Sequence, residues 1–445
     1  MSDIIENIQS ALKELKVSTW EISDTTTDQW EFYFIKHRLD QNRAVRTRHT
    51  EVTVYRDMGE GMLGSASMEI PQGSFPKEIK ENIAGLLEEA AYAVNPQYKL
   101  HGPEDQAEYS DEKGKNGISG ESGAAENQIS IKELAGTLIE AMNDLPETGT
   151  EYMNSYEIFA RKVSRKYMNS LGLDLEETYP GATMELVVNA RDENREIELY
   201  RLPSFGSCSA EELKEYVGQL LEFGKDRLKA EPTPELGKAT LLLSTEDACR
   251  VYEYFLSQMN AANVYRNLST WEIGRSIDKE GTFIQPLTIR QMKNLEGSPE
   301  NHLFDGEGGK VKERVLLEEN VPRRYWGSRQ YCSYLGIEDG SEVYNYQVEG
   351  GTRTSEELRE EDYLEVVEFS SFEVDPLTGD IAGEIRLGYW HHQGQTDIVS
   401  GGSVSGSLPQ LMEGLAVSNE EKRFGTALIP EVTMIHNITV TGIGK

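Results

Sequence analysis

Residues 365–407, EVVEFSSFEVDPLTGDIAGEIRLGYWHHQGQTDIVSGGSVSGS, constrain the fold more than any other stretch of the chain. Three strand-like runs follow one another. Val366 to Val374 is rich in Val, Phe and Glu. Ile381 to Trp390 alternates, with Ile381, Ile385, Leu387 and Tyr389 interspersed with polar residues. Asp397 to Val404 is the third, with Gly401 and Gly402 inside it. The separators are Asp375-Pro376 with Thr378-Gly379-Asp380, then Gln393-Gly394. Proline presets φ and glycine supplies positive φ, so both are turns. Period-two alternation with short loops predicts an antiparallel meander. Paired glycines inside a strand point to a bulge or to a close approach of another backbone.

The chain has 445 residues, enough for two or three domains. Its formal net charge is −33. An acidic surface of that size repels phosphate backbones and anionic lipid, which excludes nucleic acid as an expected partner. The three cysteines, Cys208, Cys249 and Cys332, are far apart and form no CxxC pair. That pattern predicts neither a disulfide framework nor a zinc ribbon and suits a reducing cytosol. The beginning, MSDIIENIQSALKEL, reads as an amphipathic helix and not a signal peptide, and no apolar run approaches the length of a membrane span.

The expected architecture is α+β, with an N-terminal mixed region followed by a C-terminal domain dominated by antiparallel, barrel-like sheet. Four regions are expected: an α+β domain over 1–100, a flexible acidic linker or loop over 101–130, a middle α+β region over 131–233, and a β-rich domain over 234–445. The linker rests on residues 101–128, which have almost no large apolar side chains. Helices are predicted over Pro76–Asn95, Ile131–Asn143 and Ala210–Lys229, and strands over Thr19–Ser23, Trp30–Arg38, Thr50–Asp57 and Glu196–Arg201. Glu157–Val187 reads as several strands with a turn at Tyr179-Pro180-Gly181. Arg43, Arg46, Arg48 and His49 form a local basic patch, a solvated strand edge or a docking point for an acidic partner.

Several segments together resemble the TldD/PmbA family, proteins of peptide maturation and proteolysis historically called modulators of DNA gyrase. They are VDPLTGDIAGEIRLGYW with VSGGSVSGSL, FDGEG at 304–308, YWGSRQYCSYLG at 325–336, and IPEVTMIHNITVTG at 429–442. In the active branch of that family a helix carries HExxxH, whose histidines hold zinc and whose glutamate activates water. Here the run 239–243 reads as a buried strand, Ser244 as a helix cap, and Ala248, Val251, Tyr252, Phe255, Leu256 and Met259 as one apolar stripe. Aligned on Arg266 and Ser269, the motif falls at about Glu253–Gln258, which contains no histidine, and none lies between His101 and His302. The family's C-terminal cysteine segment corresponds to 418–430, which has no cysteine.

The resemblance therefore implies the PmbA/TldE-like branch: a subunit with no catalytic residue and no metal of its own. Zinc is expected only in a TldD-like metalloprotease partner, with which the chain would form a heterodimer enclosing unfolded peptides. The alternatives are a stand-alone peptide-binding homodimer, or a peptidase using carboxylates such as Glu368, Glu373 and Glu384. His391 and His392 are adjacent on a strand, so their side chains diverge. His302 and His436 read as isolated, Cys249 and Cys332 as small buried hydrophobes, and GEGGK at 306–310 lacks the features of a P-loop. The residues expected to meet a substrate strand are Ser400, Gly401, Gly402 and Ser403, because glycine admits a second backbone and main-chain pairing is indifferent to sequence.

Overall fold

The computed structural model describes residues 3–103, 118–121, 130–278 and 280–444. Most of the stretch expected to be a flexible linker lies outside the described residues. Within it, residues 118–121 run as a short strand.

Among the described residues the first 205 supply nine strands. They are β1 (Thr19–Ile35), β2 (Arg38–Gly59), β3 (Met62–Glu69), β4 (Val94–Pro96), β5 (Ile118–Glu121), β6 (Glu151–Asn169), β7 (Asp174–Arg191), β8 (Glu196–Arg201) and β9 (Ser204–Phe205). They form one sheet in the order β4-β3-β2-β1-β6-β7-β5, with β8 and β9 also on β7. β1 pairs antiparallel with β6 from Glu21↔Asn169 to Ile35↔Ser155, so regions 1–100 and 131–233 share a sheet. The strands are longer than the sequence reading expects. Thr19–Ser23 and most of Trp30–Arg38 merge into β1, because polar Thr25–Asp28 lie opposite His49, Arg48, Thr47 and Arg46, which satisfy them in the ladder; the expected second strand overshoots, since Arg38 already opens β2. The turn expected at Tyr179-Pro180-Gly181 is absent; all three lie inside β7. Proline is tolerated there because, among the described residues, the pairing of β5 ends at Thr178 and that of β9 starts at Ala182, so no ladder partner lies beside Pro180 on that edge.

Four helices cover one face. α1 (Ile4–Glu14) and α2 (Pro76–Glu89) close a core with Ile22, Val52 and Val54. α3 (Ile131–Met142) and α4 (Ala210–Lys229) close another with Tyr156, Met184 and Val188. α4 starts where Ser209 and Glu212 form a reciprocal capping box.

The second half contributes β10 (Glu231–Pro232), β11 (Gly237–Leu243), β12 (Ile289–Met292), β13 (Arg314–Glu318), β14 (Val321–Pro322), β15 (Asn345–Val348), β16 (Tyr363–Val374), β17 (Asp380–His392), β18 (Gln395–Ser400), β19 (Ser403–Ser407), β20 (Leu415–Val417), β21 (Glu421–Phe424), β22 (Ala427–Pro430) and β23 (Thr433–Thr441). Strands β17-β16-β11-β23-β19 return to β17 and close a five-stranded barrel. It is antiparallel except where β11 meets β16, at Leu241↔Leu364. The expected meander is present, with one correction. The third run is not one strand: it breaks at Gly401-Gly402 into β18 and β19, both on β17. The shorter strands β14-β13-β12-β15-β22-β21 form a separate sheet.

α5 (Cys249–Gln258) plugs the barrel. Its predicted stripe is realised: Val251, Tyr252, Phe255 and Met259 are fully buried against Leu241, Leu364, Ile385 and Ile438. Its start is corrected. Ser244 does not cap it; the Ser244 hydroxyl donates to Glu365 at 2.6 Å, and Thr245 is the residue before a turn of tighter helix over Glu246–Ala248.

The halves meet at residues 302–309. Phe304 is buried with Tyr167, Leu173 and Leu175 of the first sheet, and the Leu303 amide donates to Glu177 at 2.7 Å. A Cβ at Gly308 would overlap the Tyr167 ring, so this glycine permits the contact. GEGGK is thus a docking loop.

Candidate functional site

A cavity of about 490 Å³ lies between α4, the end of β8, the turn into α5, and residues 422–427. It joins the two segments that the resemblance aligns with the zinc-holding segments of the active branch: α5 contributes Cys249, Arg250 and Glu253, and the C-terminal segment contributes Lys422 to Ala427. Sequence reasoning singled out both segments but could not show that they line one cavity.

The walls are charged and mostly self-paired. Arg201, at the end of β8, donates from Nη1 to Glu368 at 3.0 Å, pairs with the same carboxylate through Nη2, and holds Glu246 through Nε at 3.0 Å. Burial alone would lower its pKa, but the hydrogen bond and charge of Glu368 more than offset this and raise it. Arg250 pairs with Glu253 at 2.8 Å and Arg423 with Glu212 at 2.6 Å. Burial, reinforced by Glu246 and Glu368 and opposed by Arg201 and Arg250, pushes the Asp247 carboxyl up to about 6. The floor is aromatic: Phe205, Tyr216, Phe223, Tyr346 and Phe424.

Zinc, the metal the family resemblance implies, does not fit these side chains. Burial pushes the Cys249 thiol up to about 12, whereas zinc takes a thiolate. Glu253 is committed to Arg250, and no imidazole lines the cavity. Gln258, at the end of the aligned motif, instead donates to the Leu377 carbonyl at 3.0 Å and ties α5 to the β16–β17 turn. Among the described residues no group of three or more His, Cys, Asp or Glu side chains is arranged to hold a metal.

The residues expected to meet substrate lie elsewhere, at the bulge in the barrel wall. The Gly401 amide donates to Ile385 O at 2.9 Å, the Ile385 amide donates to Gly402 O at 3.0 Å, and Ser400 O accepts from Thr233 N at 3.1 Å. Ser403 pairs with Glu384 and Thr441. Both glycines have positive φ, 82° and 83°, and a Cβ on Gly402 would overlap the Thr441 carbonyl. The close backbone approach is therefore real, but the approaching backbone is the chain's own, and these groups are spent within the sheet.

Glu368 is the buried partner of Arg201, while Glu373 and Glu384 are exposed. The basic patch is answered within its own sheet. Arg43 pairs with Glu31, Arg46 with Asp28 at 3.5 Å, Arg48 with Asp24 at 2.9 Å, and His49 with Glu69 at 2.8 Å. It is a solvated edge of cross-strand ion pairs, and the docking reading loses its basis. His391 stacks on Tyr363 and His392 on Trp390. Cys208 and Cys332 are buried, and all three thiols are free. His302 is not isolated. It sits between the rings of Tyr179 and Tyr344, with Nε2 2.7 Å from Glu300 and Nδ1 3.2 Å from Glu177, which Arg165 also pairs at 2.7 Å. Burial would lower its pKa, but the hydrogen bonds to the two glutamates raise it overall.

Residues 236–442 match the family model described as the PmbA/TldA metallopeptidase C-terminal domain. Three solved structures share the fold over nearly the whole chain. A proposed modulator of a DNA gyrase from Thermotoga maritima has a TM-score of 0.75 at 18% identity, covering 98% of this chain and 100% of its own. TldE from Thermococcus kodakarensis has a TM-score of 0.74 at 15% identity, with coverage of 98% and 100%. A proposed modulator of DNA gyrase from Bacteroides thetaiotaomicron has a TM-score of 0.75 at 16% identity, with full coverage of both chains. No curated protein sequence matches the chain. The family match lies in the C-terminal half, and the fold is shared over nearly the whole chain.

Proposed function

We propose that this chain, whose C-terminal half is a domain of the TldD/PmbA family, is a PmbA/TldE-like subunit that holds unfolded peptide beside a zinc-bearing TldD-like partner and performs no cleavage itself. The observation that carries the reading is the cavity. The helix and C-terminal segment that the resemblance aligns with the metal-holding segments of the active branch both line it, and they present the Arg250–Glu253 pair, a thiol that burial keeps protonated at Cys249, and Phe424. Such a wall offers a metal no imidazole, yet it provides a concave, amphipathic space that a peptide side chain could enter. Three free thiols support a cytosolic location. No helix among the described residues is long and apolar enough to cross a membrane.

The test is purification of the tagged chain from its native host. The expected result is co-purification of a homologous chain carrying HExxxH, peptide cleavage by the pair, and loss of cleavage on chelation. The isolated chain should contain well under one zinc per molecule and leave casein intact. Stoichiometric zinc in the isolated chain, with chelator-sensitive cleavage, would overturn the proposal. Recovery as a homodimer with no partner would favour the stand-alone binding protein.

A further inference from the structure

We infer that the cavity between α4 and the start of α5 receives a basic side chain, arginine or lysine, of the bound peptide; this rests on the reading that the chain holds peptide at all. The argument is a balance of charges. Five carboxylates and four cations line the cavity. Three pairs are internal: Glu212 with Arg423, Glu246 with Arg201, and Glu253 with Arg250. The remainder is two carboxylates, Glu215 and Asp247, against Lys422, which lies with its ammonium 5.5 Å from the Phe424 ring centroid. Every arginine in the cavity is already engaged, so an anionic guest would find Lys422 alone to meet it, against two carboxylates that repel it. A cationic guest would meet a carboxylate that lacks a hydrogen-bond donor.

A second observation is independent of charge. Thr245 lines the cavity, is 6% exposed, and its hydroxyl has no hydrogen-bond partner. A buried hydroxyl without a partner is costly, and a bound donor would satisfy it. Thr245 and Asp247 flank Glu246 at one end of the cavity, while Phe205, Tyr216 and Phe223 supply apolar surface to cover an aliphatic stem. A guanidinium or ammonium carries several donors, no acceptor, and favours aromatic faces, which matches a lining that combines a carboxylate, a hydroxyl and aromatic rings. A glutamine side chain would lose the charge; a glutamate would place like charge beside Asp247.

All the walls belong to this chain, so the isolated full-length protein suffices for a test. Blocked peptides of sequence Gly-Ala-Xaa-Ala-Gly-Ser, with Xaa as Arg, Gln or Glu, are titrated by calorimetry at neutral pH. The Arg peptide should bind about tenfold tighter than the other two, the size of a good charge-assisted contact. Asp247→Asn should reduce it to the Gln level, and Glu215→Gln, at the mouth, should reduce it less; circular dichroism confirms the fold of each. If the three peptides bind alike, if Glu binds tightest, or if Asp247→Asn keeps the preference for Arg, the inference is overturned while peptide holding stands. If no peptide binds, both fall.

Discussion

At the residue scale, Gly402 and Glu307 show how local chemistry is decided by what lies across the fold. Gly402 holds φ at 83° with the Thr441 carbonyl where a Cβ would stand. Gly402→Val therefore adds backbone strain and a clash with backbone, and should lower stability by about 3 kcal/mol or more in urea unfolding. A variant with unchanged stability would show that the bulge can relax. Glu307 accepts from the Arg329 amide at 2.6 Å. Burial, with Asp305, Glu21 and Glu342 adding to it, nonetheless pushes its carboxyl up to about 8 from 4.5. A raised carboxyl contributes stability that is present below the unfolded value and lost as pH rises through the folded one. Glu307→Gln mimics the protonated form. Its Tm should match the wild type near pH 4.5 and exceed it above pH 8. An unchanged difference across that range would mean the group does not titrate as argued. His302 should add a loss of the same sign, since its glutamates raise its pKa. Little of this is visible in FDGEG or in an unaccompanied histidine, because Glu21 comes from β1, Glu177 and Tyr179 from β7, and Glu342 and Tyr344 from a later loop.

At the scale of elements, the Arg201–Glu368 pair joins β8 of the first sheet to β16 of the barrel, 167 positions away in sequence. Their side chains are 13% and 8% exposed. Arg201→Met would leave a buried carboxylate unpaired and should cost about 3–5 kcal/mol, whereas Arg201→Met with Glu368→Met should recover most of it. Equal destabilisation of single and double variants in urea would show that the pair contributes more than mutual neutralisation. α5 behaves differently, as a plug held by shape. Phe255→Ala, inside the barrel, should cost about 3–5 kcal/mol with little change in ion pairing. Its apolar stripe was legible because helical periodicity survives when one face is buried. β7 was misread because Pro180 signals a turn locally, and the vacancy at the sheet edge that excuses it is tertiary.

At the scale of the whole molecule, a formal charge of −33 has to be folded into one compact body. Many basic side chains are already committed to internal pairs, as along β1 and β2 and around the cavity. The surplus is self-repulsion among exposed carboxylates, which salt screens over about 10 Å at 0.1 M. Moderate sodium chloride should therefore raise Tm, most at alkaline pH where buried carboxyls such as Glu307 and Glu342 lose their protons. A Tm that falls with salt would mean that favourable ion pairs outweigh the net charge.

The sequence by itself determined the patterns that repeat along the chain: the meander of 365–407, the stripe of α5, the amphipathic helix α4, and the absence of histidine and cysteine from the segments that the resemblance aligns with the active branch's ligands. Each is a matter of period or identity, and neither needs a distant partner. Only the tertiary structure decided that the start of α5 and the C-terminal segment line one cavity, that Gly401 and Gly402 pair within the barrel wall, that the basic patch is answered by carboxylates, and that His302 joins a buried network. Those outcomes depend on which charges and backbones approach across more than a hundred residues, and burial, which sets their energies, exists only once the chain has closed on itself.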